Sequence, residues 1–313
     1  MSSTPTIEHH YQTPIWDSSR WAGFTPREGD IVVCTSYKAG TTWTQMISAV
    51  LVHQTADLPA PLPKLSRWLD MRLQPAEEVV AGFEAQGHRR VIKTHTPLDG
   101  IPYFENVSYV YCGRDPRDVF MSMLHHQSNI DMERIMGILV SRGVTVTPPP
   151  ELPEDVNERF VFWLTHGVFP WEQDGAPYWS TLHHIESFWR YRHLPNIYFH
   201  HFADLKRDLE GQMRRLAAFL EIEVPEDKWP ELVGAATFGH MKANADRVAP
   251  EADHRIWKST EGFFNRGEND QWREALSKES QELYQKLTRE RYDRDMLEWM
   301  ERGALEVGLP ADM

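Results

Sequence analysis

The sequence predicts an α/β protein with a central parallel sheet flanked by helices and a helical cap. Two observations carry this expectation. Short apolar runs, "DIVVCTS", "RRVIKTH" and "VSYVYCG", read as strands. The segments between and after them carry helical periodicity, and strands alternating with helices favour a parallel sheet with helices on its faces. No internal repeat or low-complexity tract is present. Residues 1–313 are read as one domain, with the cap at about 127–180.

In chain order, residues 31–36 form a buried strand. A helix follows from about Thr42 to His53, with Trp43, Met46, Ile47, Val50 and Leu51 on its apolar side. "ADLPAPLPKLS" is a proline-rich loop. "PAEEVVAGFEAQG" is a helix that begins at Pro and ends at Gly. "RRVIKTH" is the second strand and "VSYVYCG" the third, broken at Gly113. Pro116–His126 is a helix with Pro at an early position. Residues 127–180 hold "TVTPPPELPED" and the aromatic-rich "RFVFWLTHGVFPWEQDGAPYW", too apolar for a linker, and are read as a helical cap with a long loop. "TLHHIESFWRYRHL" is a helix, "NIYFHHF" a strand and "DLEGQMRRLAAFLEI" a helix. From about Glu274 the chain is helical and highly charged.

Composition narrows the function. The formal net charge is −13, which argues against nucleic acid or an anionic membrane as a partner. Any anionic ligand must therefore meet local Lys and Arg. The two cysteines, Cys34 and Cys112, sit in strand patterns and are expected to be buried, reduced thiols. The N-terminal stretch lacks the basic and apolar regions of a signal peptide, and no run of about 18 apolar residues suggests a membrane span. The expected location is cytoplasmic. The pairs His9–His10, His125–His126, His183–His184 and His200–His201 lack metal-ligand spacing and are read as structural or surface residues; no metal is expected.

Ligands of open α/β sheets bind beyond the carboxyl ends of the strands. After the first strand stands "SYKAGTTW". A loop opening a helix presents unpaired N–H groups and the positive end of the helix dipole. Gly40 permits close backbone approach, Thr41 and Thr42 add hydroxyl donors, and Lys38 adds charge. This is an anion site, yet Lys38 precedes Gly40, whereas ATP-binding P-loops end in Gly-Lys-Ser/Thr. After the second strand, "KTHTP" places His95 where a general base could stand, although a lone His is more often structural. After the third, "CGRDPRDVFMS" places Arg114 and Ser122 where both could face one phosphate; the competing reading is an Arg paired with Asp115 or Asp118.

Together these residues resemble the cytosolic-type sulfotransferases that use 3′-phosphoadenosine 5′-phosphosulfate (PAPS). That family has YPKSGTTW after its first strand, KTHLP, a strand followed by R-N-P-x-D-V and a Ser, and a late R-K-G followed by G-D-W-K. The corresponding stretches here are "SYKAGTTW", "KTHTP", "YVYCGRDPRDVFMS" and "FFNRGENDQWRE". "RRVIKTHTPLDG", "SYVYCGRDPRDV" and "FFNRG" look closest to bacterial (mycobacterial) glycolipid sulfotransferases.

The resemblance implies a P-loop-like sulfotransferase fold and assigns roles. Lys38, Ala39, Gly40, Thr41 and Thr42 would hold the 5′-phosphosulfate. Arg114 and Ser122 would hold the 3′-phosphate, with Phe264, Asn265, Arg266 and Gly267 closing over it. Trp43 would stack on the adenine, with Phe238 on its other face and Thr237 nearby. His95 would be the base, with Lys93 and Lys38 at the transferring group. The implied reaction is in-line transfer of a sulfuryl group from PAPS to a hydroxyl of an apolar acceptor: a glycolipid, a sugar, or a small alcohol or phenol. The cap aromatics Phe160, Phe162, Trp163, Phe169, Trp171, Tyr178 and Trp179 suit such an acceptor, or simply pack the cap. Asn265 replaces a family Arg, Arg266 a Lys, and Phe202 a Tyr; the C-terminal dimer motif is not evident, and the oligomeric state stays open. The alternatives are a kinase-like ATP enzyme and a non-catalytic nucleotide-binding scaffold. Neither the Gly-Lys order nor a strand-terminal Asp for Mg²⁺ supports the first, and retention of Lys38, His95 and Arg114 counts against the second.

Overall fold

A computed structural model describes residues 4–146, 151–250 and 254–313. Four strands form one sheet: β1 (Ile31–Cys34), β2 (Val91–Thr94), β3 (Ser108–Gly113) and β4 (Ile197–His201). Their order is β2-β1-β3-β4 and all neighbours are parallel, as expected. The strand at β1 stops at Cys34 rather than Ser36. β3 is not broken at Gly113, which pairs with His201 in β4.

Both faces of the sheet are buried. Alternate side chains enter different cores. Ile31, Val33, Val110 and Cys112 join one core, while Val32, Cys34, Tyr109 and Tyr111 join the other. The first core is closed by α1 (Thr41–His53), whose Trp43, Met46, Ile47, Val50 and Leu51 all pack inward as their periodicity predicts. Both thiols are free and fully buried, and burial pushes the Cys112 thiol up to about 12, so it is inert at neutral pH. At the opposite ends of β1 and β2, fully buried Arg90 donates to both carboxylate oxygens of Asp30 at 2.8 and 2.5 Å and locks the two strands together.

The remaining major helices are α2 (Ala76–Glu84), α3 (Pro116–Asn129), α4 (Met132–Ser141), α5 (Val156–Thr165), α6 (Thr181–Trp189), α7 (Phe202–Arg207), α8 (Leu209–Phe219), α9 (Trp229–Ala235), α10 (Phe238–Ala243), α11 (Lys278–Arg291) and α12 (Arg294–Arg302). Helix α3 outruns its expected end by three residues, to Asn129, and α6 is shorter than its sequence pattern. The cap does contain two helices, α4 and α5, and a loop over 166–180; residues 147–150 of its proline-rich stretch lie outside the described residues. It does not pack as one layer. Phe160 and Trp163 of α5 pack with Phe120 of α3 and Tyr284 of α11, whereas α4 and the 166–180 loop pack with the N-terminal segment.

The last helix closes the second core. Trp299 of α12 is fully buried against Tyr111, Phe199 and His201. Its ring fits only because residue 113 has no side chain: a Cβ there would overlap the ring. Overpacking of this kind costs about 1–3 kcal/mol. Gly113→Ala should therefore lower unfolding stability by about that amount in chemical denaturation. An unchanged midpoint would show that the α12 contact is not tight.

Candidate active site

Because the strands are parallel, Cys34, Thr94, Gly113 and His201 end at one edge of the sheet. The chain leaves β1 for β2 on one side and later returns to β3 on the other, so the switch point lies between β1 and β3. A solvent-open cleft of about 1230 Å³ stands at this edge.

The loop 35–40 forms its floor. Gly40 is the N-cap of α1 with φ +117°, and Lys38 has φ +59°, a left-handed conformation rarely adopted by long side chains. Beneath the loop, the Cys112 thiol donates to the Ala39 carbonyl at 3.0 Å. Arg114, beyond β3, donates to the Lys38 carbonyl at 3.0 Å and the Glu268 carbonyl at 2.8 Å, with its guanidinium 4.2 Å from the Phe202 ring. Among the described residues its Nε is buried without a partner. On α3, Asp118 accepts the Asp270 N–H at 3.0 Å and so ties the 265–270 loop to the cleft; burial raises its carboxyl to about 6. The competing pairing with Asp115 goes to Arg117 instead, through two contacts at 2.7 and 2.9 Å.

The second strand end supplies His95 and Lys93. His95 is 5 % exposed, and its Nδ1 lies 2.7 Å from the Thr35 carbonyl. A carbonyl only accepts, so Nδ1 carries the proton and Nε2 is the basic nitrogen. Burial first, and then the Lys93 charge, hold this imidazole well below its ordinary pKa. The Lys93 ammonium lies 3.7 Å from the centre of the Trp68 ring. Lys38 is half-buried, and loss of water around it, followed by repulsion from Arg114 and Lys93, lowers it to about 7. Its ammonium sits 4.6 Å over Phe263 and 3.5 Å from His126 Nδ1.

The far half of the cleft is apolar. Residues 67–69 run beside Lys93 of β2, and the N-terminal segment pairs in turn with residues 70–72 through Trp16–Met71 and the Arg72 N–H to the Ile15 carbonyl. Ile15, Trp16, Trp68 and Met71 thereby become one wall; Ile130, Met132 and Trp257 face it. The N-terminal segment is pinned by buried Tyr11, which donates to Asp99 at 2.9 Å, while Asp99 also meets His183 at 2.8 Å. Trp171 donates to the Tyr11 hydroxyl at 3.2 Å. Glu8, His9 and Asp99 bring ligand-capable atoms near one another, but this trio lies in the Tyr11 network and does not line the cleft.

Of the residues expected in the site, Lys38, Gly40, Thr41, Thr42, Trp43, Lys93, His95, Arg114, Ser122, Phe238, Phe264, Asn265 and Gly267 all line this one cleft. Three do not. Ala39 is fully buried under the loop, Thr237 is exposed and caps α10, and Arg266 points to solvent. Of the cap aromatics only Tyr178 reaches the cleft; Phe160 and Trp163 belong to the α5 core, and Phe169, Trp171 and Trp179 pack around Tyr11. His126, read as structural or surface, instead lines the cleft. Trp16, Trp257 and Gln271 were not singled out, and they arrive from distant parts of the chain with no local signal in the sequence. Among the described residues, no Asp or Glu lines the cleft, whereas Lys38, Lys93 and Arg114 do. This donor set, with the unpartnered Arg114 Nε, fits a ligand bearing several phosphate-like groups.

The chain is similar to known proteins over most of its length. The family described as sulfotransferase domain matches residues 28–300. A glycolipid sulfotransferase of Mycobacterium bovis is 37% identical over 308 residues, covering 94% of each chain. In fold, the chain is similar to a mouse sulfotransferase complexed with PAP, with a TM-score of 0.66, 18% identity and coverage of 89% of this chain and 90% of that one. It is also similar to retinol dehydratase in complex with androsterone and inactive cofactor PAP, with a TM-score of 0.65, 22% identity and coverage of 87% and 83%.

The floor loop is testable by itself. A Cβ on Gly40 would lie 2.9 Å from Cys112 Sγ and 3.2 Å from Phe202, at a φ that disfavours any L side chain. Gly40→Ala should cost about 1–3 kcal/mol of stability in denaturant titration. A neutral outcome would mean that the loop relaxes freely.

Proposed function

This chain belongs to the sulfotransferase family, and we propose that its donor is PAPS and its acceptor an apolar molecule carrying a hydroxyl. The observation that supports this most directly is the gathering of Lys38, Lys93, Arg114 and His95 in one cleft that no acidic side chain lines among the described residues. The floor loop and α1 N-terminus would take the 5′-phosphosulfate; Arg114 and Ser122 would take the 3′-phosphate; Trp43, Phe238 and Phe264 would border the adenine. The apolar wall of Trp16, Trp68, Met71 and Trp257 supports an apolar acceptor. The likeness to a glycolipid sulfotransferase favours a glycolipid within that class.

When bound, the donor supplies a sulfuryl group on a phosphate leaving group. An acceptor oxygen bonds to sulfur, the bond from sulfur to the 5′-phosphate oxygen breaks, and the hydroxyl proton passes to His95 Nε2. Burial keeps His95 unprotonated and ready for this role. The Thr35 carbonyl fixes its tautomer. Lys93, held against Trp68, faces the transferring group, and Lys38 meets charge growing on the leaving oxygen. Catalysis of this kind is chiefly positioning and charge stabilisation.

Two measurements test the reading. Adenosine 3′,5′-bisphosphate should bind in calorimetric titration while ATP–Mg²⁺ does not, and Arg114→Ala should weaken that binding by about tenfold or more. Preference for ATP–Mg²⁺ would overturn the donor assignment. His95→Ala should retain bisphosphate affinity and lose about 10²–10⁴-fold in turnover with a glycolipid or phenol acceptor. Full turnover in that variant would remove His95 as the base.

A further inference from the structure

His126 enters the cleft from the last turn of α3. Its ring is wedged beside Trp257 at 5.1 Å and Phe263 at 6.3 Å between centroids, and the Lys38 ammonium lies over the same Phe263. Among the described residues, His126 Nδ1 is the one side-chain atom in hydrogen-bonding range of Lys38 Nζ, at 3.5 Å. In its ammonium form Lys38 has only donors, so there Lys38 donates and Nδ1 accepts, which leaves the imidazole proton on Nε2.

The charges around the contact make the acceptor consequential. Arg114 beyond β3 and Lys93 from β2 both oppose a charge on Lys38. Burial first, and then the neighbouring Lys38, Lys93, His95 and His125, oppose protonation of the His126 ring. The ring therefore stays neutral and can accept, and a neutral acceptor favours the charged form of its donor.

We propose that His126 is a positioning residue that holds Lys38 as an aimed ammonium for the phosphate site. This rests on the reading in which Lys38 meets the 5′-phosphate. Lys38 reaches the phosphate as a charged group only while it keeps its proton. Loss of the imidazole acceptor leaves Lys38 among two cations and an aromatic face, and its proton departs at lower pH.

The test is calorimetric titration of adenosine 3′,5′-bisphosphate at pH 6 and pH 8 into wild type, His126→Phe and His126→Asn. In Asn a side-chain oxygen stands where Nδ1 does. Wild-type binding weakens as pH rises through the Lys38 value of about 7. In His126→Phe that fall begins at lower pH. A drop of one unit makes binding about tenfold weaker than wild type at pH 8 and alters it by no more than about twofold at pH 6. His126→Asn restores the wild-type profile. Equal weakening at both pH values, or no change in His126→Phe, overturns the proposal. Absence of bisphosphate binding by the wild type overturns the donor reading together with it, an outcome distinct from a failure confined to the variants. ¹⁵N spectra of the wild-type histidine rings provide a check that needs no variant. They should show His126 unprotonated at Nδ1, and a proton on that nitrogen overturns the proposal even if both variants fail to fold.

Discussion

A buried guanidinium organises the functional edge of this protein. Among the described residues, Arg114 has no carboxylate within hydrogen-bonding distance; its donors go to the carbonyls of Lys38 and Glu268, and its face lies on Phe202. Backbone dipoles therefore carry much of the compensation for an ion removed from water. That arrangement joins three segments far apart in sequence: the loop after β1, the end of β3 and the loop before residue 270. It also explains why Lys38 tolerates a left-handed φ, since its carbonyl is fixed from one side and the Ala39 carbonyl is held by Cys112 from below.

Much of this edge was legible in the sequence because strand, loop and helix follow one another within a few residues. "IVVC" followed by "SYKAGTTW" specifies a buried strand, a loop and a helix start in consecutive positions, and the structure places its Lys, Gly and Thr in one cleft. Arg114 and Ser122 were legible for the same reason, lying at a strand end and on the helix that follows it. The acceptor side was not. Trp16, Met71 and Trp257 meet only through pairing between distant segments, and none of them has a local neighbour that announces it. The cap aromatics misled for a related reason. Aromatic content measures how much surface a segment buries but not against which partner, and Phe160 and Trp163 bury theirs against α3 and α11. His126 was hidden in a run of histidine pairs, and only the packing of α3 separates it from His125, whose ring bonds the Gly262 carbonyl.

The cleft joins two chemically opposed halves. One is cationic, built from strand ends and helix starts whose backbone groups are already oriented. The other is a wall of Trp, Ile and Met side chains. His95 and Lys93 stand where the halves meet, each packed against Trp68. An aromatic wall that excludes water there also raises the strength of every charge interaction beside it, so the apolar half of the cleft is part of the electrostatics of the cationic half.

The N-terminal segment gives this division a consequence. The family match begins at residue 28, yet Ile15 and Trp16 stand in the cleft, moored by the Tyr11–Asp99–His183 knot. Part of the apolar wall, Ile15 and Trp16, thus stands ahead of the residues that the family shares, while Trp68, Met71, Ile130, Met132 and Trp257 stand within them. Under the proposed reading, substitutions at Ile15 and Trp16 would re-shape the apolar half of the cleft while leaving Lys38, Lys93, His95 and Arg114 in place.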